Sequence, residues 1–284
     1  MAIDPQQARG AQLPAVSATY TPDQVILYHL GIGAGVPPTD PGELAYTYEK
    51  NLVVLPSFAV IPAMSSLPGL AQVPGLQFNW AMLLHGEQEV ILQRPVPPQA
   101  TLETSARVAE IYDKAKGALV ILEAESRDEA GELLFTNRCS FFVRGEGGFG
   151  GDSGPKAGNQ PPERAPDAVI ESPTLPQQAL LYRLCGDKNP LHADPDFAKL
   201  AGFDQPIVHG LCSYGIACKA IVDRVLEGDV TRVARYRARF AGVVFPGETI
   251  VTSMWKEGSQ VVVSAKTKER DTPVISNCAV TLRA

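Results

Sequence analysis

The chain has 284 residues, of which 45% are apolar and 20% charged, with a net charge of −6 at pH 7. That length provides a sizeable core in one large or two modest domains, and the composition is ordinary for a soluble globular protein. An acidic balance without a basic run argues against a sequence-independent nucleic-acid binder, and no apolar stretch approaches the roughly 18 residues of a membrane span.

The five cysteines form no Cys-x-x-Cys pair, and the start of the chain lacks the charged and apolar regions of a secretory signal. An odd set of thiols fits a reducing compartment, in which cysteine serves as a small core residue. We therefore expect a cytoplasmic protein.

The first half begins with helical signals and continues in strands. Thr21 is placed as the N-cap of a helix, with Pro22 at its first position and Gly31 at its end. Residues 45–49 are interpreted as an edge strand, and residues 53–85, apolar but interrupted by four prolines, as a broken helical region. Branched and apolar runs between Asp/Gly turns then predict an antiparallel meander. Its strands begin at Glu87 and cover residues 101–111, 118–126 and 133–144.

The second half also places helices before strands. Residues 180–184 and a segment capped by Asp194 predict two short helices. Apolar residues from Leu211 to Val225 recur at three- and four-residue steps, which predicts a third helix of about four turns with one buried face. Four strands are predicted to follow, at residues 235–243, 249–256, 261–267 and 274–282.

One pattern occurs in both halves. Pro-x-x-Thr-x-x-Thr-Ser stands at residues 98–105 and again at residues 246–253, and Asn-x-Cys at 137–139 is echoed by Asn-Cys at 277–278. These matches predict a duplicated unit, a long helix wrapped by an antiparallel sheet, and hence an α+β architecture. Chance matching of two short patterns is the alternative.

Composition predicts where the two units meet. Residues 151–172 are rich in glycine, proline and charge, and we interpret them as a crossover linker. This places one domain at residues 1–150 and the other at residues 173–284.

A candidate site lies between the short helices of the second half. Asp187 and His192 would point about 140° apart in an unbroken helix. Pro190 pushes Asn189 out of the helical region, so a turn lets the two side chains converge. A carboxylate and an imidazole that face one volume can move protons near neutral pH. The alternative is ordinary loop chemistry, because Asp and Asn support turns through their own backbone.

The start of the third helix, at His209 and Gly210, offers a partner for that pair. Its first amides have no acceptor within the helix, and glycine permits close approach, so a developing negative charge is stabilised there. A glycine that merely eases a tight entry into the helix is the alternative. An acid/base pair with an oxyanion donor is what water addition to a double bond conjugated with a thioester carbonyl requires.

Other candidates are weaker. The pair His209-x-x-Cys212 is a possible metal fragment, but no second ligand pair appears, and we expect Cys212 to be an inert core thiol. His29 and His85 lie on or near apolar segments and are interpreted as structural histidines.

The segment GDKNPLHADP followed by AGFDQPIVHGLCSYG closely resembles the hydratase 2 motif of MaoC-like (R)-specific 2-enoyl-CoA hydratases. The segments ILYHLGIGAG, LLHGEQEV, IYDKAKGA and FFVRGEGGFGG resemble the first half of two-repeat hydratases, including the hydratase unit of peroxisomal multifunctional enzyme type 2. The resemblance covers most of residues 20–284. It implies a double hot-dog fold, in which each half is a long helix wrapped by a curved antiparallel sheet.

The resemblance also implies roles for individual residues. Asp187 and His192 correspond to the catalytic dyad, Asn189 to a supporting polar group, and Gly210 to the residue whose amide binds the thioester oxygen. The first half is implied to have lost its own dyad and to house the acyl tail. In agreement, no Asp-x-Asn-Pro-x-His stands before residue 150.

Basic residues are candidates for contacts with CoA. They are Lys114, Lys116, Arg144 and Arg237, with His209 as a further substrate contact. Solvated surface charge is the alternative for each cation. Ala115 departs from the family pattern, which has a glycine at this position of the loop.

The sequence therefore predicts a cytoplasmic hydratase that converts trans-2-enoyl-CoA to (3R)-3-hydroxyacyl-CoA without a metal or redox cofactor, CoA being part of the substrate. A homodimer is expected by family likeness. A dehydratase for hydroxyacyl groups on acyl carrier protein and a non-catalytic acyl-CoA-binding protein are the alternatives. The acyl tail, whether straight, branched or steroid-like, is left open.

Overall fold

In the residues that the computed structural model describes, 3–156 and 158–283, ten strands form one antiparallel sheet. The strands of the first half are β1 (Val16–Tyr20), β2 (Leu83–Leu92), β3 (Ala100–Asp113), β4 (Gly117–Asp128) and β5 (Leu133–Arg144). Those of the second half are β6 (Ala168–Pro173), β7 (Val233–Phe240), β8 (Thr249–Glu257), β9 (Gln260–Thr267) and β10 (Pro273–Leu282). The two predicted meanders are confirmed.

The order across the sheet is β1-β3-β4-β5-β2-β7-β10-β9-β8-β6. The two halves have the same strand order when each is followed outward from the β2–β7 pair. The first strand of each meander (β2 or β7) is followed by its fourth, third and second strands, and the half ends in an edge strand (β1 or β6). The predicted duplication is therefore confirmed as a double hot-dog fold.

Strand register and sequence repeat agree on the symmetry of the two halves. Pro246 follows Pro98 by 148 positions in the repeated motif, and Arg237 follows Glu89 by the same interval. Glu89 and Arg237 are also direct partners across β2 and β7. An approximate two-fold axis therefore passes through this pair of residues.

The described helices are mostly short. They are α1 (Pro5–Ala8), α2 (Pro22–Gly31), α3 (Pro41–Thr47), α4 (Val60–Ala63), α5 (Gln178–Tyr182), α6 (Pro195–Leu200) and α7 (Gly210–Val225). Only α7 matches the predicted long helix, and it is buried on nearly every side because the sheet wraps around it. Among these elements, none combines the length and apolar character that crossing a bilayer takes.

The first half has no counterpart of α7 in the described residues. Two 3₁₀ segments, Pro56–Ala59 and Met64–Gln72, flank the single turn of α4 instead. Proline lacks the amide that an α-helix needs, and Pro68 lies inside the longer 3₁₀ segment. The predicted broken helical region is confirmed, and the prediction of a long helix in each unit is wrong for the first.

Two local predictions are wrong. Residues 45–49 belong largely to α3, because the Asp40 carboxylate accepts hydrogen bonds from the amides of Gly42 and Glu43 and Pro41 opens the helix. The end of the predicted linker is strand β6, which pairs with β8. Its alternating half-buried and exposed residues are typical of an edge strand, and its place in the sheet matches that of β1.

Charged side chains join the two halves on the outer face of the β2–β7 pair. The buried carboxylate of Glu87 accepts hydrogen bonds from Arg237, at 2.6 Å, and from Nε of Arg239, at 2.8 Å. Burial alone would raise the pKa of Glu87, but the two guanidinium groups outweigh it and bring this pKa below its ordinary value. Glu87 is therefore ionised in the folded protein and ties the halves together.

We expect Glu87→Gln to destabilise the protein by about 2–3 kcal/mol at pH 7, since it leaves two cations without their shared carboxylate. The folded pKa of Glu87 is lowered, so its contribution is present above the ordinary value of 4.5 and is lost as the pH falls through the folded pKa. Denaturant unfolding of parent and variant across this pH range measures the difference. A constant difference at all pH values would contradict the assignment.

Candidate active site

The predicted site residues meet at one cavity of about 420 Å³ between the two halves. Asp187, Asn189, His192 and Gly210 all line it from the second half. The first half supplies walls from the proline-broken segment and from the inner faces of β2, β4 and β5, which are mostly apolar but include His85, Gln88 and Asn137. The cavity thus joins a polar end, rich in titratable groups, to an apolar interior.

A tight turn brings Asp187 and His192 together. The amide of Asn189 donates to Oδ1 of Asp187 at 3.1 Å, and the amide of Leu191 donates to Oδ1 of Asn189 at 3.0 Å. A 3₁₀ turn at Pro190–His192 follows and directs the imidazole back toward the carboxylate. The interpretation as loop chemistry is confirmed, and this loop brings the carboxylate and the imidazole together; their catalytic role stays a prediction.

His192 is held in one tautomer. Its Nδ1–H donates to the carbonyl of Ile207 at 2.9 Å, so Nε2 carries a lone pair. Burial lowers the pKa of His192 below its ordinary 6.5, and the Ile207 carbonyl and the Asp187 charge offset this only in part. At neutral pH the ring is therefore an uncharged proton acceptor.

His209 lies behind the dyad rather than at the cavity wall. Its ring stacks on that of His192 with centroids 3.7 Å apart, and its Nε2–H donates to the backbone carbonyl of Asp187 at 3.2 Å. The side chain is fully buried, and burial together with the neighbouring imidazole lowers its pKa to about 4. This geometry does not support the expected direct contact with substrate. The ring of His209 instead stacks on His192 and hydrogen-bonds to the backbone of Asp187, and it thereby positions both members of the dyad.

Gly210 is the first residue of α7 and lines the cavity. A Cβ placed there would stand 3.3 Å from the ring of Phe240, so glycine lets this aromatic wall approach the helix start. The amides of Cys212 and Ser213 donate to the carbonyl of His209, whereas the amide of Gly210, at the first helical position, has no acceptor within the helix. This position is compatible with the predicted oxyanion site, whose role stays a prediction.

Asp187, His192 and His209 each offer a possible metal-ligand atom, and these atoms lie within 4.8 Å of one another. A tetrahedral metal requires lone pairs that converge on one point. The two imidazole rings are stacked at an interplanar angle of only 28°, so their lone pairs lie in two nearly parallel planes. In addition, one nitrogen of each ring is engaged by a backbone carbonyl. The cluster fits proton transfer better than metal ligation.

Three of the four predicted CoA contacts lie at one end of the sheet. Lys114 and Lys116 lie in the β3–β4 turn, and Arg144 is the partner of Gly117 at the end of β5. The preceding residue, Val143, pairs with Leu83, which lines the cavity. The three cations therefore lie at this end of the strands, but none of them is among the described residues that line the cavity, and their contact with CoA stays a prediction.

Arg237 is separated from them. It stands on the outer face of β7 and is paired with Glu87, while its neighbours Tyr236 and Ala238 face the core. Successive side chains of a strand point to opposite faces, so Arg237 is directed away from the cavity. The structure assigns it to the junction between the halves and does not support the predicted CoA contact.

Ala115 adopts a left-handed conformation, with φ of 59°. Its amide donates to Oδ1 of Asp113 at 2.8 Å, and the same carboxylate accepts hydrogen bonds from the amides of Gly148 and Gly150. The glycine of the family pattern is therefore explained by backbone conformation, which alanine adopts only with strain.

Two residues of the site were missed. Phe240 ends β7, and His85, interpreted as structural, lines the cavity from β2. A single glycine, Gly86, interrupts the strand pattern just after His85, which is a signal for a β-bulge. By contrast, His29 is the structural residue that was expected, with both ring nitrogens bonded to backbone groups.

Comparisons with known proteins agree with this arrangement. Residues 18–145 match the family described as MFE-2 hydratase 2 N-terminal domain, and residues 157–278 match the MaoC like domain. Enoyl-CoA hydratase ChsH3 of Mycobacterium tuberculosis is 47% identical over 97% of both chains. The peroxisomal enoyl-CoA hydratase 2 of Arabidopsis thaliana is 44% identical over 93% of this chain and 91% of its own. A crystal structure of a MaoC-like dehydratase from Phytophthora capsici is similar with a TM-score of 0.87, at 35% identity over 98% of both chains.

His209→Phe keeps a ring stacked on His192 but removes the donor to the Asp187 carbonyl. We expect kcat to fall about 10-fold to 100-fold with little change in KM, because the dyad loses its alignment while the cavity wall is unchanged. Steady-state kinetics of the purified variant measure both constants. A raised KM with parent-like kcat would show that His209 contacts substrate directly.

Ala115→Gly is expected to stabilise the protein by about 1 kcal/mol, because glycine adopts the left-handed conformation without strain. Urea unfolding measures the change. Ala130 is the matched control, since it is also an exposed alanine in a hairpin turn but has no positive φ. Ala130→Gly should destabilise slightly, and equal effects of the two substitutions would contradict the explanation.

Proposed function

Because this chain belongs to the hydratase 2 family of MaoC-like proteins and is an enoyl-CoA hydratase, we propose that it converts trans-2-enoyl-CoA to (3R)-3-hydroxyacyl-CoA. One observation carries the proposal for its residues. A carboxylate, a neutral imidazole with a free lone pair and the start of a helix line one cavity, at Asp187, His192 and Gly210.

The reaction needs one proton to move from water to carbon. A C3–O bond and a C2–H bond form, the C2=C3 double bond becomes single, and one O–H bond of water breaks. His192 Nε2 and the Asp187 carboxylate are both proton acceptors at the cavity, so they orient one water between them. The pair takes a proton from the attacking oxygen and returns one to C2.

Negative charge develops on the thioester oxygen as water adds to C3. An amide at the start of α7, that of Gly210, is positioned to stabilise this enolate-like oxygen, and the positive end of the helix adds to the effect. The Asn189 oxygen is already occupied by the Leu191 amide, which leaves its side-chain amide to orient the water.

The apolar part of the cavity suits the acyl tail. It is lined by Val60, Met64 and Leu67 from the proline-broken segment and by Leu122 and Ala124 from β4. A continuous long helix in the first half would occupy this side of the cavity. The broken segment therefore supports the proposal that the first half binds the tail. Contact of Lys114, Lys116 and Arg144 with the CoA phosphates is a further part of the proposal.

Dehydration of a hydroxyacyl thioester is the same reaction run backward, which accounts for a similar solved structure being called a dehydratase. Direction is then set by substrate concentrations. Rates measured on CoA thioesters and on acyl carrier protein thioesters distinguish a hydratase of acyl-CoA from a carrier-protein dehydratase.

We further propose a cytoplasmic homodimer that requires neither metal nor redox cofactor. Addition of water is redox-neutral, and the dyad supplies the proton transfers. The five free cysteines are compatible with a reducing compartment. The exposed leucines Leu180 and Leu184 are candidates for a subunit contact. Light scattering measures the mass of the particle in solution, and treatment with a chelator should leave the rate unchanged.

Asp187→Asn and His192→Gln are each expected to lower kcat by about 10²-fold to 10⁴-fold while the protein stays folded. Hydration of enoyl-CoA substrates from four carbons to bulky tails, followed by chiral analysis of the product, measures rate and stereochemistry. Circular dichroism serves as the control for folding. Near-parent turnover in either variant would refute the assigned roles.

The acid side of the pH profile gives an independent measurement. The pKa of His192 is lowered by burial, so kcat/KM should persist below pH 6.5 and fall only as the pH drops through the lowered value. A decline centred at or above pH 6.5 would contradict the role of neutral His192 as proton acceptor.

A further inference from the structure

Strand β2 contains a β-bulge directly before the junction of the two halves. Along the β2–β5 ladder His85 pairs with Phe141, while Glu87 pairs with Ser140, so Gly86 is an extra residue. An added Cβ on Gly86 would stand 3.4 Å from the Ser140 carbonyl. Bulges of this kind change the direction of side chains and occur next to active sites.

The bulge places His85 on the inner face of the sheet. In a regular strand His85 would share the outer face with Glu87, two positions on, beside Arg237 and Arg239. Cross-strand partners lie on the same face, and the partner of His85, Phe141, lies two positions from Cys139, which lines the cavity. Because of this extra residue, the imidazole of His85 faces the cavity and not the ion pairs on the outer face.

The junction between the halves also opens at this point. The last pair of the β2–β7 ladder is Glu87 with Arg239, and beyond it His85 and Phe240 stand on either side of the gap. Their rings meet edge to face with centroids 5.1 Å apart, and the ring of His85 lies 5.0 Å from that of Phe141. Phe240 in turn lies against the start of α7 at Gly210. His85 is thus part of an aromatic wall that continues to the proposed oxyanion site.

The ring of His85 is fixed and uncharged. Its Nε2–H donates to the carbonyl of Glu87 at 3.1 Å, and the Glu87 side chain is itself held by two arginines. Burial lowers the pKa of His85 to about 4, although the Asp187 carboxylate opposes the shift and so lies within electrostatic reach. A flat neutral ring is suited to pack against a planar conjugated group, which an enoyl thioester is.

We propose that His85 is the contact of the first half with the reacting group: its ring, beside Phe240, holds the planar enoyl thioester in line with the water at Asp187 and His192. The half without a dyad then supplies more than a pocket for the tail. The inference rests on the proposed hydration and extends it to a residue outside the motif. Because the contact is with the enoyl group, its effect should not depend on tail length.

The test is hydration kinetics of His85→Ala on a four-carbon enoyl-CoA and on a long-chain enoyl-CoA. We expect kcat/KM to fall about 10-fold to 100-fold on both substrates, with kcat reduced, because the reacting carbons lose their alignment. His85→Phe, which keeps an aromatic face, should retain activity within about 5-fold of the parent. Parent-like kcat/KM for His85→Ala, or a loss confined to the long substrate, would overturn the inference.

Two controls separate this outcome from others. His29→Gln alters a buried histidine on α2, away from the cavity lining, and should lower the melting temperature while kcat/KM of the folded enzyme is retained. If His85→Ala does not fold, His85→Asn is compared with His85→Phe, and equal activity of these two variants would overturn the role of the ring. Absence of hydration by the parent would instead refute the proposed function, independently of His85.

Discussion

The antiparallel pairing of β2 with β7 is the constraint on which the rest of the molecule depends. It joins two five-stranded units into one sheet, and the pairing ends at Glu87 and Arg239, beside His85 and Phe240 of the cavity wall. Neither unit encloses the site alone: the second contributes the dyad and α7, and the first contributes the walls. Backbone hydrogen bonds and buried charge at this junction therefore support both stability and chemistry.

The elements that were predicted correctly are those determined by residues close together in the chain. The strands were recognisable from alternating apolar residues and Asp/Gly turns, and α7 from its three- and four-residue spacing. The turn at Asp187 was predictable because Pro190 and two short polar side chains specify it within six residues. Edge strand β6 was missed because its six residues directly follow a proline-rich, charged segment and half of its side chains are exposed. Helix α3 was missed although its cap, Asp40 followed by Pro41, was present.

The parts of the site that the sequence did not disclose depend on residues far apart in the chain. His209 resembled a substrate contact until its ring was seen against His192, with its nitrogen on the Asp187 carbonyl. His85 and Phe240 meet only because two separate strands diverge. Arg237 forms an ion pair with Glu87 on the outer face of the sheet and does not face the cavity. A basic or aromatic residue in a strand has no assigned face until the register is known, and one bulge reverses that face.

The position of Glu89 and Arg237 on the approximate two-fold axis has a consequence for how such a protein diverges. In a symmetric pair of identical chains, a residue on the axis always meets its own copy, so a glutamate would face a glutamate and an arginine an arginine. Joining both units in one chain removes that restriction. The axis position carries opposite charges on its two sides here, and β2 is acidic where β7 is basic. For the same reason the two units can differ elsewhere: the second contains the turn with Asp187 and His192, and the first has a proline-broken segment where the second has α7.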